Sequence, residues 1–179
     1  MQIIWNLTVD IKTYAKDRYS VVYPVMTECP CCCAQVKLER HGFYQRNALV
    51  RTKCYRIDIC RYWCPSCGRT VSLLPWFLLP YFQYTRDTIL KSLRKQFKKA
   101  GSFLSRQLSA FYRHRFLNNI PAIISALREQ HWDEALPYNQ NKRAIKIVDR
   151  LAVTPPSALT LTSQCATNRI LTNFMARSF

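Results

Sequence analysis

The sequence of 179 residues predicts an α+β protein, in which a small β zinc ribbon is followed by a basic, helical, helix-turn-helix-like module. Three observations support this prediction. Two Cys-Pro-x-Cys hooks, Cys29 with Cys32 and Cys64 with Cys67, flank a segment rich in β-forming residues. Apolar residues recur at helical spacing from Thr85 onward. The net charge is +17, from 27 Lys and Arg against 10 Asp and Glu.

The two hooks together supply four thiols at the spacing of a tetrahedral metal site. A gap of two residues lets one tight turn direct both sulfurs at a single ion, and the turn's N–H groups reduce the charge on the thiolates. In the second hook, Pro65 and Gly68 provide a fixed φ and a tolerated positive φ. We therefore predict a structural Zn²⁺ with four ligands: Cys29, Cys32, Cys64 and Cys67.

Other interpretations of the cysteines stay open. Cys31 and Cys33 compete with Cys32 as ligands of the first hook, and Cys33 stands where the second hook has Gly68. Paired hooks also bind a single redox iron. Disulfides are a further alternative, but no signal peptide is evident, so we expect a cytoplasmic protein in which thiolate–metal chemistry is favoured. The cysteines without a paired spacing are interpreted as small apolar residues: Cys54, Cys60 and Cys165.

The segments around the hooks are predicted from their apolar patterns. Residues 1–28 alternate apolar and polar residues, which indicates an extended lead-in that packs on the ribbon. The ribbon spans residues 29–76, with two extended segments between the hooks and a bulge or bend at Gly42. Residues 77–84 form an apolar strap, because Pro75 and Pro80 exclude a regular helix there. No apolar run reaches the roughly 20 residues of a spanning helix, so we expect a soluble protein without a membrane partner.

Residues 85–135 are predicted to form three short helices separated by tight turns, the minimum for a helix-turn-helix unit. Thr85 and Ser102 are suited to begin helices, and Gly101 is suited to end one. The second helix is expected to end near Asn119, and the third to follow Pro121. Residues 136–179 are predicted as a linker and a weakly ordered tail, with short helices near 144–151 and 168–176.

The excess of positive charge predicts a polyanionic partner, of which nucleic acid is the commonest and an anionic membrane surface is the alternative. Double-stranded DNA is the partner that we expect. Bases in the ribbon are interleaved with aromatic residues, which suits phosphate contact and base stacking but also fits a solvated sheet face. No phosphate-binding glycine loop, nucleophile set or group of converging carboxylates is evident, so we predict no enzyme activity. The candidate nucleic-acid-binding residues are Arg46, Arg51, Lys53, Arg56, Arg61, Arg69, Lys91, Arg94, Lys95, Lys98, Lys99, Arg106, Arg113 and Arg115.

Two stretches also carry a family resemblance. They are Arg40-His-Gly-Phe-Tyr-Gln-Arg and the run from Cys64 that reads Cys-Pro-Ser-Cys-Gly-Arg-Thr-Val-Ser-Leu-Leu-Pro-Trp-Phe-Leu-Leu-Pro-Tyr. The pattern resembles the N-terminal zinc ribbons of insertion-sequence transposases, and most closely a family of uncharacterised bacterial proteins with a ribbon and a helix-turn-helix region. This resemblance, over roughly residues 20–120, implies DNA binding associated with a mobile element, with the same four cysteines as ligands. It makes a transposase or recombinase a further candidate partner. No catalytic carboxylate domain follows, so transposase activity is not implied.

Two alternative functions are compatible with the same residues. A zinc ribbon can be a protein-interaction module in a transcription or mobilisation complex, which predicts zinc without strong DNA affinity. The aromatic residues among the bases also fit a protein that binds single-stranded RNA or DNA. The sequence does not specify the oligomeric state or the nucleotide sequence that would be bound.

Overall fold

The computed structural model of the protein describes residues 1–5, 7, 9–16 and 21–154. These residues form a mixed α+β structure that divides into two compact units, a sheet unit (Met1–Thr85) and a helical unit (residues 86–154). The elements in chain order are β1 (Gln2–Trp5), α1 (Ile11–Lys16), β2 (Glu39–Val50), β3 (Lys53–Trp63), β4 (Thr70–Pro75), α2 (Arg86–Phe97), α3 (Arg106–Arg128) and α4 (Gln140–Val153).

The sheet has the strand order β1-β4-β3-β2. Strands β2 and β3 form a long antiparallel hairpin, β4 pairs antiparallel with β3, and β1 pairs parallel with β4. The hairpin turn is short because Arg51 adopts a φ of 51°. The pairing of β2 with β3 shifts between Arg40 and Phe43, where Gly42 has a φ of 100°. This irregularity confirms the bulge or bend predicted at Gly42, whose positive φ glycine adopts without steric cost.

The lead-in, predicted as extended, contains a helix. Asp10 precedes α1, and its carboxylate accepts hydrogen bonds from the Lys12 N–H at 2.7 Å and the Thr13 hydroxyl at 2.9 Å. The apolar–polar alternation that predicted an extended segment covers only a few residues here. The hydrogen bonds to Asp10 stabilise the first turn of a helix, and the helix forms instead. Tyr14 of α1 is 2% exposed, and its hydroxyl donates to the Asp58 carbonyl of β3 at 2.7 Å. Helix α1 is thereby anchored to the sheet.

The strap, residues 77–84, runs beside β2 instead of leaving the sheet unit. The Leu49 N–H donates to the Gln83 carbonyl at 2.8 Å, and the Thr85 N–H donates to the Leu49 carbonyl at 3.0 Å. Phe77 and Leu78 are buried in the core of the sheet unit. The strap's apolar side chains therefore serve to complete this core.

The helical unit differs from its prediction in α3. One continuous helix of 23 residues spans the segment where a second helix, a break and a third helix were expected. Pro121 lies within it and is exposed, while Phe116, Ile123 and Leu127 are each 0% exposed on its buried face. A proline in a helix interior removes one backbone hydrogen bond, which destabilises the helix. The free energy gained by burying the apolar face of α3 offsets this cost.

Helix α4 occupies part of the segment predicted as a linker. It has 14 residues, longer than the expected 144–151, and Asn139 caps it by accepting a hydrogen bond from the Lys142 N–H at 3.1 Å. Ile147 and Leu151 of α4 are buried at 0% and 1% exposure. The tail predicted from residue 155, with its short helix at 168–176, lies outside the described residues. Among the helices that the structure describes, none has both the length and the apolar character of a membrane span.

Candidate metal centre

The second hook forms the turn that its sequence predicts. The Cys64 N–H donates to the Arg69 carbonyl at 3.0 Å, and the Gly68 N–H donates to the Cys64 carbonyl at 2.9 Å. Gly68 has a φ of 68°, which reverses the chain between the end of β3 and the start of β4. Cys64 and Cys67 are thereby placed on one side of a closed turn.

The first hook repeats this hydrogen bonding with different residues. The Cys29 N–H donates to the Ala34 carbonyl at 3.0 Å, and the Cys33 N–H donates to the Cys29 carbonyl at 2.8 Å. Cys33 has a φ of 56°, so it adopts the left-handed conformation of the glycine in the second hook. The Cys31 N–H also approaches the Cys29 Sγ at 3.4 Å. Cys33 therefore serves as the turn residue, and the first hook uses the register that contains Cys29 and Cys32.

The sulfurs of the two hooks converge. The Sγ atoms of Cys29 and Cys67 are 3.8 Å apart, those of Cys32 and Cys64 are 3.9 Å apart, and all four lie within 4.8 Å of one another. A zinc–sulfur bond of about 2.3 Å gives a tetrahedron with sulfur–sulfur edges of about 3.8 Å. All four thiols are free. The Cys31 Sγ lies instead 3.5 Å from the Met1 Sδ, outside the cluster.

The thiols of the cluster differ in burial. Cys29 and Cys64 are 0% exposed, whereas Cys32 is exposed. Burial raises the pKa of the Cys29 thiol to about 12, while a hydrogen bond from the Ala34 N–H lowers the pKa of the Cys32 thiol to about 7. Deprotonating the buried Cys29 thiol is costly without a compensating cation. The donor set therefore fits a soft divalent metal ion, which would displace the thiol protons.

The sheet holds the two hooks together. Strand β3 ends at Trp63, directly before the second hook, and its pairing with β4 joins Trp63 to Thr70. The segment after the first hook is held by the Leu38 N–H, which donates to the Met26 carbonyl at 2.8 Å. Both hooks thus meet at one end of the β2–β3 hairpin.

The predicted nucleic-acid-binding residues of the sheet unit fall into two groups. Arg46 is half-buried, and its guanidinium donates to the Leu79 carbonyl at 2.8 Å and to the Phe82 carbonyl of the strap. Burial lowers the pKa of Arg46. Arg61 is half-buried, with its guanidinium carbon 5.6 Å from the centre of the Tyr44 ring. The exposed members of the set are Arg51, Lys53, Arg56 and Arg69.

In the helical unit, several of the predicted bases contact other side chains. Lys91 pairs with Asp87 at 2.7 Å, and Arg94 pairs with Asp149 at 2.5 Å. Three bases lie over aromatic rings, Lys95 over Phe103, Arg113 over Phe97 and Arg115 over Phe111. The remaining exposed members of the set are Lys98, Lys99 and Arg106.

The comparison with known families gives one match. Residues 29–113 match the model of a domain of unknown function, DUF6431. The matched segment begins at the first cysteine of the cluster and ends within α3, so it contains all four clustered cysteines. No curated protein and no solved structure matches the chain. The relationship to transposase zinc ribbons therefore stays a prediction.

The sequence analysis missed one polar group, formed by Ser92 and Ser109 with Ser102 between them. The Ser109 hydroxyl donates to the Ser102 Oγ at 2.7 Å, and the Ser92 and Ser102 Oγ atoms are 3.1 Å apart. From the sequence, Ser102 is predicted only to begin a helix. The pattern that could have located the group is the pair of serines, Ser92 and Ser109, on the apolar faces of two successive helices.

Proposed function

We propose that the protein is a zinc-stabilised nucleic-acid-binding protein whose main ligand is double-stranded DNA. The observation that carries this proposal is the four-sulfur cluster in a chain with a net charge of +17. A structural metal supplies folding free energy to a small sheet unit, and the excess of bases provides affinity for a polyanion.

Zinc is the metal that the cluster supports best. A zinc ribbon is expected to have two hooks with a β-hairpin between them and a strand after the second hook. The elements of the sheet unit follow this order, and the two hooks have the same hydrogen bonding. A tetrahedral set of four thiolates also accepts a single iron, which would be redox-active and coloured. Metal analysis of the purified protein distinguishes the two ions.

DNA binding is supported by these exposed bases of the predicted set: Arg51, Lys53, Arg56, Arg69, Lys98, Lys99 and Arg106. They lie on the β2–β3 hairpin, in the second hook, after α2 and at the start of α3. Phosphate contacts by about six to ten bases would lower affinity by roughly 10³–10⁵ between 50 and 200 mM salt. The α2–α3 connection, residues 98–105, is longer than the three to four residues of a helix-turn-helix motif. We therefore propose a basic helical module without assigning that motif to it.

Association with a mobile element rests on the resemblance of the ribbon sequence to transposase ribbons. In this proposal the protein contributes DNA binding, and a transposase or recombinase contributes catalysis. Co-purification of such an enzyme in a DNA-dependent manner is the expected result of an affinity pull-down with the tagged chain.

A second candidate function is a protein-interaction module. Large apolar side chains of the sheet unit are exposed, namely Val22 at 87%, Val25 at 68% and Tyr81 at 78%. Exposed apolar surface favours a protein partner. This function predicts one bound zinc ion per chain together with weak or no affinity for nucleic acid.

The deciding experiment is a binding titration of a labelled DNA duplex at 50 and 200 mM salt, with native and zinc-stripped protein. We expect one zinc ion per chain, steep salt dependence and weaker binding after zinc removal. Binding that survives zinc removal would assign DNA contact to the helical unit. Zinc-loaded, folded protein that binds no duplex at 50 mM salt would contradict the DNA proposal and support the protein-interaction module. A competition with single-stranded RNA and DNA of equal length tests the preference for duplex.

A further inference from the structure

A surface cavity of about 440 Å³ lies between the end of α2 and the start of α3. Its polar lining consists of Gln96, Ser102, Arg106, Ser109 and Arg113. None of the acidic residues in the described part of the chain lines it. The volume falls within the range of ligand sites, about 300–1,000 Å³, which is enough for a phosphate with its attached sugar.

The hydroxyl groups of the cavity have fixed positions. Ser102 accepts hydrogen bonds from the Ser109 hydroxyl at 2.7 Å and from the Leu104 N–H at 3.1 Å. Ser109 is 6% exposed, and Ser92, which lies 3.1 Å from the Ser102 Oγ, is 0% exposed. The Gln96 amide donates to the Ser92 Oγ at 3.3 Å. The wall of the cavity is therefore a connected polar group held by two packed helices.

The charges around the cavity have one sign. Arg106 opens α3, whose first turn contains no acidic residue. A cation at this end of a helix adds to the positive end of the helix dipole, and an anion bound there would be stabilised by both. Arg113 lies two turns further along α3, with its guanidinium carbon 5.4 Å from the centre of the Phe97 ring. This contact orients the second guanidinium on the cavity wall.

Three acidic residues described in the helical unit form ion pairs with bases other than Arg106 and Arg113. Within the described part of the helical unit, Asp87, Glu134 and Asp149 form ion pairs with Lys91, Lys146 and Arg94. The cavity thus combines two guanidinium groups, fixed hydroxyls and the positive end of a helix. These are the donors that bind phosphate oxygens in proteins.

We infer that this cavity binds a phosphate group of a nucleic-acid backbone, with Arg106 and Arg113 supplying the charge and the guanidinium donors. This inference rests on the proposed function and specifies where the helical unit contacts its ligand. A contact of this kind fixes the position of the protein on the duplex without selecting a base sequence.

The test compares two double variants with the same loss of charge. Arg106→Gln/Arg113→Gln removes the guanidinium groups of the cavity, and Arg128→Gln/Lys142→Gln removes two exposed bases from other parts of the helical unit. Binding to a labelled 20-base-pair duplex is titrated between 100 and 250 mM salt, where charges more than roughly 10 Å from the ligand are largely screened. The cavity variant is expected to bind about 10- to 100-fold more weakly, and its slope of log affinity against log salt should fall by about one to two. The control variant should change affinity by less than about 3-fold and leave the slope unchanged.

Two further variants guard against a loss of folding. Arg106→Gln alone alters an exposed side chain and should reduce affinity by about 3- to 10-fold with an unchanged circular dichroism spectrum. Arg106→Lys/Arg113→Lys retains the charge and should restore part of the affinity.

The outcomes separate this inference from the proposed function. If the wild-type protein binds duplex and the cavity variant behaves like the control, the inference is overturned and the proposed function stands. If the folded wild-type protein binds no duplex, both are overturned. Binding to phosphatidylglycerol vesicles in place of duplex, lost in the cavity variant, would identify a lipid headgroup as the ligand and overturn the nucleic-acid assignment.

Discussion

Among the described residues, the sheet unit contains a cluster that could bind a metal ion, and the helical unit does not. The sheet unit has an apolar core and also holds four thiols in one cluster, with Cys29 and Cys64 fully buried. The helical unit has an apolar core of packed helices that includes Phe116 and Ile147, and its ion pairs lie at exposed positions. Metal dependence should therefore be a property of the first unit, and core packing should decide the stability of the second.

Of the changes proposed here, removal of a bound metal ion is expected to produce the largest difference in stability between the two units. Chelation or Cys64→Ser should unfold the sheet unit, because structural zinc supplies on the order of 10 kcal/mol, which is comparable to the whole stability of a domain. The helical signal at 222 nm and the amide resonances of α2 to α4 should persist. Cys54→Ser changes an exposed cysteine outside the cluster and should leave zinc content and folding unchanged. Loss of the helical resonances together with zinc would show that the two units do not fold separately.

A core substitution in the helical unit should produce the opposite pattern. Phe116→Ala removes a side chain that is 0% exposed and should lower the free energy of unfolding of this unit by about 3–5 kcal/mol. Zinc content should stay the same, as measured by metal analysis of the variant. Phe111→Ala, at a position that is 47% exposed, is the matched control and should cost less than about 1 kcal/mol. A loss of zinc from the Phe116 variant would contradict the comparison.

Arg46 and Arg56 test whether bases of the sheet unit have different roles. Arg46→Ala leaves the Leu79 and Phe82 carbonyls of the strap without their guanidinium donor and should destabilise the unit by about 1–3 kcal/mol. Arg56→Ala changes an exposed base and should alter stability by less than about 0.5 kcal/mol while weakening DNA binding. Chemical denaturation and duplex titration measure the two effects. Equal free energies of unfolding of Arg46→Ala and Arg56→Ala would contradict the structural role of Arg46.

The smallest expected effect concerns the turn of the second hook. Gly68→Ala introduces a side chain where φ is 68°, and no atom of the described residues lies within 4 Å of the added carbon, so backbone strain is the effect that opposes it. This strain should cost about 1 kcal/mol and lower zinc affinity by a similar free energy, or about 5-fold. Gly68→Asn should cost less, because asparagine tolerates the left-handed conformation. A competition assay with a zinc-binding dye measures the change, and equal affinities of the alanine and glycine forms would contradict the requirement for glycine.

Local sequence determined the features that depend on a few neighbouring residues. The spacing of Cys29, Cys32, Cys64 and Cys67 predicted the cysteines that the structure brings together, because a two-residue gap places both thiols of a hook on one turn. Gly42 marked the bulge of β2 for the same reason, since positive φ is available to glycine at little cost. The β-rich composition between the hooks likewise predicted the strands that became the β2–β3 hairpin.

Tertiary structure decided the features in which packing competes with local preference. Helix α3 continues through Pro121 because its apolar face is buried, and α4 extends through a segment of weak local pattern because it packs on α2. Arg46 and Arg56 have the same charge and both lie on the β2–β3 hairpin, yet the first donates to carbonyls of the strap while the second is exposed. The ligand register of the first hook depended on Cys33 adopting the positive φ that its counterpart reaches as a glycine. The paths of α3 and α4 and the role of Arg46 depend on contacts between residues distant in the chain, and a local pattern does not contain that information.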